Sequence, residues 1–230
     1  MRLVLFDIDG TILRSNGSGR RAMEGALTEV FGSPGSSAYR YDGKTDPQIV
    51  RDLMRANGHE DDHIDAHMPR LMARYLRGLE RELEDGAREV TLLDGVGELL
   101  DALEVRDDVT LGLLTGNLHA GAALKLRAVG LDIERFRVGA YGSDHERRSE
   151  LPAVAQRRAR EILNLNVPGE RVVVIGDTPA DIDCGRAIGA RAIGVATGRY
   201  TVEELAEHRP AAVFATLTDT GAVVHAIADA

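Results

Sequence analysis

The chain has 230 residues, 43% of them apolar and 28% charged, enough to bury a sizeable core as one large domain or a domain with a smaller insert. A formal net charge of −9 argues against nucleic acid or an anionic membrane as the main partner, and an anionic substrate would need a local positive site. The single cysteine, Cys184, excludes an internal disulfide and suits a reducing cytosol; with no leader-like opening and no apolar run of membrane-spanning length, a cytoplasmic location is expected.

Leu3-Val4-Leu5-Phe6 is the pattern of a strand buried on both faces, as in a parallel sheet covered by helices. Asp7-Ile8-Asp9-Gly10-Thr11 follows at once. On a still-extended backbone acids at i and i+2 lean toward the same side, and Gly10 lets the chain turn sharply behind them. Two like charges so placed repel each other unless a cation lies between them, and a divalent ion with oxygen ligands, typically magnesium, is the economical answer. Taken alone the pentapeptide reads equally well as a turn, because Asp and Gly dominate turns.

Residues 14–19 read as loop, after which Met23, Ala26, Leu27, Val30 and Phe31 recur at helical spacing up to a stop at Gly32. A Pro-, Gly- and Ser-containing loop over residues 33–43 precedes Thr45-Asp46-Pro47, an N-cap followed by proline at the start of a helix carrying Ile49, Leu53 and Met54. Asn57-Gly58 closes that helix, and Ile64, Met68, Leu71, Met72, Tyr75, Leu76, Leu79 and Leu83 mark the apolar stripe of the next. His59-Glu60-Asp61-Asp62-His63 at its start spells H-E-x-x-H, the helical zinc-protease pattern. Gly58 and the run of acids instead describe a helix's first turn, so the histidines are not expected to bind zinc.

Residues 15–86 therefore read as helices alone, an insertion into an otherwise alternating pattern formed by residues 1–14 and 87–230. Asp94-Gly95 opens a helix with Val96, Leu99, Leu100 and Leu103, and a strand over residues 109–114 ends in Thr115-Gly116-Asn117. A helix with Ala123, Leu124 and Leu126 stops at Gly130, a short strand is expected over 138–141, and the charged loop 143–148 leads into a helix over 154–163. Val172-Val173-Val174-Ile175 is a second buried strand, ending in Gly176-Asp177-Thr178-Pro179-Ala180-Asp181, with Cys184 read as a small buried helix residue. Weaker strands at 192–195 and 212–214 are separated by a helix at 202–206 and followed by one at 221–228. Strands alternating with helices predict an α/β fold, a doubly wound parallel sheet with an inserted α-helical domain. In such a sheet the three polar strand ends lie along one edge, which turn chemistry alone does not explain.

With these motifs in this order, the chain resembles the haloacid dehalogenase superfamily. Its phosphatases carry Asp-x-Asp-Gly-Thr, a strand-ending Ser or Thr, a Lys or Arg, and Gly-Asp-x-x-x-Asp. The likeness extends over essentially the whole chain, and the helical insert with Gly43-Lys44-Thr45-Asp46 is similar to the mobile cap of phosphoglycolate phosphatase-like members. The resemblance implies that Asp7 attacks phosphorus to form an aspartyl-phosphate, and that Asp9 protonates the leaving oxygen and then activates water. It implies magnesium held by the Asp7 carboxylate, the Asp9 backbone carbonyl and Asp177, with Asp181 as ligand or just behind. Thr115, the amides of Gly116 and Asn117, and Arg148 or its neighbour Arg147 would bind the phosphoryl oxygens. Arg148 is preferred because it leads directly into the next helix. Arginine in place of the family's commoner lysine keeps the charge and adds a planar fork. Lys44 would either reach down to substrate or remain solvated. The expected activity is hydrolysis of a small phosphorylated metabolite, phosphoglycolate-like or a sugar phosphate. A phosphoryl-transferring mutase is the alternative, and a haloacid dehalogenase or an inactive phosphate-binding module fits less well because Asp7, Asp9 and Asp177 are all present. Oligomeric state is left open.

Overall fold

The computed structural model describes residues 1–84 and 90–230. In chain order it opens with β1 (Arg2–Phe6) and β2 (Leu13–Arg14), followed by α1 (Ser18–Phe31), α2 (Asp46–Ala56) and α3 (Asp61–Glu84). The middle of the chain forms β3 (Thr91–Leu92), α4 (Val96–Glu104), β4 (Val109–Thr115), α5 (His119–Ala128), β5 (Val138–Tyr141) and α6 (Leu151–Leu163). It ends with β6 (Val172–Gly176), α7 (Pro179–Cys184), β7 (Arg191–Val195), α8 (Val202–Ala206), β8 (Ala212–Phe214) and α9 (Thr220–Asp229).

Six strands form one parallel sheet in the order β5-β4-β1-β6-β7-β8. The doubly wound α/β architecture expected from the alternating pattern is therefore the one observed. β1 is central because its side chains are apolar on both faces. Val4 and Phe6 pack with Leu99, Leu100 and Leu103 of α4 and Val223 and Ile227 of α9, whereas Leu3 and Leu5 pack with Leu151, Val154, Ala155 and Ala159 of α6. Burying a strand this thoroughly contributes roughly 1.5–3 kcal/mol per large side chain, which makes β1 a firmly anchored support for the residues that follow it.

A second, two-stranded antiparallel sheet pairs β2 with β3, Leu13 facing Leu92 and Arg14 facing Thr91. Sequence periodicity gave no sign of it, since two-residue strands have no period and their pairing joins residues far apart in the chain. This ribbon is the stem on which α1–α3 leave and rejoin the sheet. The anticipated return boundary, Gly86 and residue 87, lies outside the described residues. The three helices hold an apolar cluster of their own, with Met23, Leu27, Leu53, Met54, Ile64, Leu71, Tyr75 and Leu79 buried, but Leu118 and Leu124 from the α5 region complete it. The insert thus shares one edge of its core with the sheet domain.

Candidate active site

Asp7 sits one residue beyond β1, where its amide still donates to the Ile175 carbonyl of β6 at 2.9 Å. Gly10 then takes φ +85°, a left-handed conformation open to glycine without strain, and brings the chain hard against the Asp177 carboxylate. Asp177 directly follows β6, and Thr11 Oγ1 donates to its Oδ1 at 3.2 Å. Thr115 ends β4, the other neighbour of β1. Three adjacent strands therefore deliver Asp7, Thr115 and Asp177 to one edge, as parallel pairing requires.

The carboxylates of Asp7, Asp177 and Asp181 are all buried, with an oxygen of each within 4.8 Å of the others. The Arg148 guanidinium lies among them, 3.0 Å from Asp7 Oδ1, and it also pairs with Asp181 Oδ1. Burial pushes the Asp7 carboxyl up to about 6, with Arg148 opposing and the charges of Asp181 and Asp9 adding to the rise. Asp177 is driven well above the usual carboxylate range, first by burial and then by Asp181 and Asp7. Burial works against the charge on Arg148, but the carboxylates of Asp181 and Asp7 outweigh it and raise its pKa. Three buried acids against one arginine leave an excess of negative charge, and an all-oxygen donor set of this kind matches a hard divalent cation such as magnesium. Asp181 also closes a capping box at the start of α7, accepting from the Thr178 amide and hydroxyl at 2.9 and 2.7 Å. One of its oxygens is therefore committed to the fold.

Asp9 faces a different environment. Its Oδ2 accepts from Lys125 Nζ at 2.5 Å and from Asn117 Nδ2 at 2.9 Å, and its Oδ1 accepts from Ser15 Oγ at 2.9 Å. Burial would raise its pKa, yet the Lys125 charge and these hydrogen bonds together hold it below the usual value. Two carboxylates two residues apart are thus displaced in opposite directions, Asp9 being the more readily ionised of the two.

Lys125 is the site residue that sequence reasoning passed over. It lies on α5 with Gly121, Ala122 and Leu126, all buried like itself, and a charged residue on the buried face of a helix was the available signal. Arg148 and Arg147 separate cleanly. Arg148 is buried in the site, whereas the Arg147 side chain is exposed. Lys44 lines the cavity above the site, but its Nζ is engaged by the Tyr39 hydroxyl at 2.7 Å and Asp52 at 3.1 Å. Its carbonyl oxygen presses against Gly116, where a Cβ would come within 2.0 Å of it. Thr45 caps α2 by accepting from the Gln48 amide and reaches across to the Glu146 carbonyl at 2.5 Å. The Asp46 amide donates to the Gly116 carbonyl at 2.8 Å, and its carboxylate accepts from the Leu118 amide at 2.9 Å.

The cavity enclosed between insert and sheet is about 400 Å³. Asp7, Asp9, Thr115, Gly116, Asn117, Arg148 and Asp177 line its floor side, and Arg20, Tyr39, Arg40, Tyr41, Lys44 and Arg199 ring the rest. His59 and His63 lie apart from it. The α3 helix begins after His59, whose ring stacks on that of His63 at 5.2 Å and 9°, an arrangement in which the two do not converge on a common point. Cys184 ends α7, buried, its thiol pushed up to about 12 by burial, as suits an inert core residue.

The model of the haloacid dehalogenase-like hydrolase family matches residues 1–189 of this chain. No curated protein matches it significantly in sequence. Among solved structures, a hydrolase from Pseudomonas syringae is 23% identical with a TM-score of 0.74, the match covering 98% of each chain. A predicted phosphoglycolate phosphatase from Haemophilus somnus is 18% identical with a TM-score of 0.70, covering 97% of this chain and 98% of that one. CbbY from Rhodobacter sphaeroides, solved in complex with phosphate, is 20% identical with a TM-score of 0.68, covering 96% and 97%. These likenesses concern the fold, while the family match spans most of the sequence and includes every acid of the site: the chain belongs to the haloacid dehalogenase-like hydrolases.

Proposed function

We propose that the protein is a magnesium-dependent phosphatase acting on a small phosphate monoester through an aspartyl-phosphate on Asp7. The observation that carries this reading is the split environment of the two acids after β1. Asp7 stands with Arg148, Asp177 and Asp181 on one side, and Asp9 stands apart, held by Lys125, Asn117 and Ser15. In this reading an Asp7 oxygen attacks phosphorus as the P–O bond to the leaving group breaks. Asp9, ionised in the free site, takes up a proton from solvent as the substrate's negative charge arrives beside it, delivers that proton to the leaving oxygen, and later takes one from the water that releases phosphate.

Arg148 binds the transferring group. It lines the cavity beside Asp7, where its guanidinium would meet a phosphoryl oxygen of the bound substrate. Thr115 and the amides at Gly116 and Asn117 complete the oxyanion site. The Asp7 and Asp177 carboxylates and the Asp9 carbonyl would hold magnesium, with Asp181 supporting Arg148. The ion, when bound, supplies the positive charge that lets a phosphate dianion approach a carboxylate. The helices of residues 15–84 act as the cap. The small cavity and the arginines Arg20, Arg40 and Arg199 around it favour a compact anionic metabolite, such as phosphoglycolate or a sugar phosphate.

The test is a panel of phosphoglycolate, sugar phosphates, nucleoside monophosphates and phenyl phosphate, assayed with magnesium and with chelator beside Asp7→Asn. Turnover should require magnesium and fall by at least about 10³-fold in Asp7→Asn. Equal activity with chelator, or a fully active Asp7→Asn, would refute the mechanism. Isomerised phosphate ester in place of inorganic phosphate would mark a mutase.

A further inference from the structure

We infer that Lys125 is a positioning residue for the acid/base carboxylate Asp9, an assignment that rests on the reading of Asp9 given above. The Lys125 side chain is 4% exposed, and a buried ammonium is strongly unfavourable unless it is paired and hydrogen-bonded. Its partners are both in the site. Nζ donates to Asp9 Oδ2 at 2.5 Å and to Asn117 Oδ1 at 2.6 Å.

The second contact matters as much as the first. An ammonium only donates, so the Asn117 amide must turn its oxygen toward Lys125 and its nitrogen away. That nitrogen then donates to Asp9 Oδ2 at 2.9 Å and to Thr115 Oγ1 at 2.7 Å. One lysine thereby orients the acid/base directly, orients it again through Asn117, and ties it to the phosphate-binding threonine. Ser15 on Oδ1 completes the set of three donors that hold the Asp9 carboxylate in one rotamer.

A carboxylate has a particular need of this arrangement in a site that receives a phosphate dianion. Unheld, it would rotate away from the arriving charge. Lys125 opposes that repulsion from the cavity wall, which it joins beside Asp9 and Asn117, its Nζ bonded to both. Arg148 cannot substitute, because its guanidinium is engaged with Asp7 and Asp181. Nor does Lys44, whose Nζ is spent on Tyr39 and Asp52.

Full-length parent, Lys125→Met, Lys125→Gln, Asp9→Asn and the Lys125→Met/Asp9→Asn double variant should be compared with magnesium, on whichever monoester in the panel above the parent turns over fastest. Thermal melts would identify any variant that fails to fold, and Lys125→Gln, which keeps a donor, covers a loss of folding in Lys125→Met. Lys125→Met should lower kcat by about 30-fold or more with KM within about threefold, because misaiming an acid/base affects the transition state rather than binding. On the Asp9→Asn background the same substitution should cost no more than about twofold, since residues acting as one unit are not additive.

Parental kcat in folded Lys125→Met, a change confined to KM in either variant, or a full multiplicative loss on Asp9→Asn would overturn the assignment while leaving Asp9 as the acid/base. A fully active Asp9→Asn would overturn both.

Discussion

The Arg147 backbone amide donates to His145 Nδ1 at 3.0 Å and its side chain stays in solvent, while the next residue buries a guanidinium between Asp7 and Asp181. The two arginines are equivalent by residue type and differ only in direction, so no reading of composition could separate them; the preference for Arg148 came from its place before a helix. The prediction at this scale follows from burial. Arg148→Ala should lower kcat/KM by roughly 10³-fold, Arg148→Lys by less because the charge survives without the fork, and Arg147→Ala by no more than about twofold. Steady-state kinetics of the three variants with magnesium would check this, and the large effect appearing at Arg147 would reverse the assignment. Lys125 gives the complementary lesson. Its spacing from Asp9 in the chain carries no information, and only the docking of α5 beside the end of β1 brings the two together.

At the scale of elements, the link between the helical insert and the sheet is concentrated at the start of α2. Thr45 and Asp46 serve as helix-start residues, as their position before Pro47 predicts, but both also bond across to the sheet domain at Glu146, Gly116 and Leu118. Burial raises the Asp46 carboxyl from 3.8 to about 6, opposed by Lys125 and the Leu118 amide. Because the folded protein binds this proton more tightly than the unfolded chain, the group's contribution is fully present below about pH 4 and is lost as pH rises through about 6. The cost on complete ionisation is on the order of 3 kcal/mol. Urea denaturation of parent and Asp46→Asn in chelator should show the parent losing about that much relative to the variant between pH 4 and 7, since Asp7 and Asp177 titrate in both and cancel. Parallel stability curves would show that Asp46 is not buried against the sheet as described.

For the molecule as a whole, the site is a concentration of buried like charge that the sheet's apolar packing must tolerate. Asp7, Asp177 and Asp181 share one arginine, and burial pushes the Asp7 and Asp177 carboxyls up. A divalent ion binding only the folded form would relieve this and stabilise by mass action, about 2.7 kcal/mol at a hundred times its Kd. For a chain of this size that corresponds to a rise in Tm of roughly 5–10 °C. Scanning fluorimetry in chelator and in saturating magnesium should show the shift in the parent and lose most of it in Asp177→Asn. An unchanged Tm in the parent would argue that magnesium does not bind the free site.

The sequence by itself determined the central strands, β1, β4 and β6, because strands buried on both faces must be apolar throughout and so declare themselves within four or five residues. It also determined which acids end those strands, because a parallel sheet sends every such end to one edge. Only the tertiary structure decided how the two acids after β1 differ. Their environments are built by residues on other elements, Arg148 and Asp177 for one, Lys125, Asn117 and Ser15 for the other. Electrostatic interactions depend on distance and burial, and neither is written in the spacing of residues along the chain.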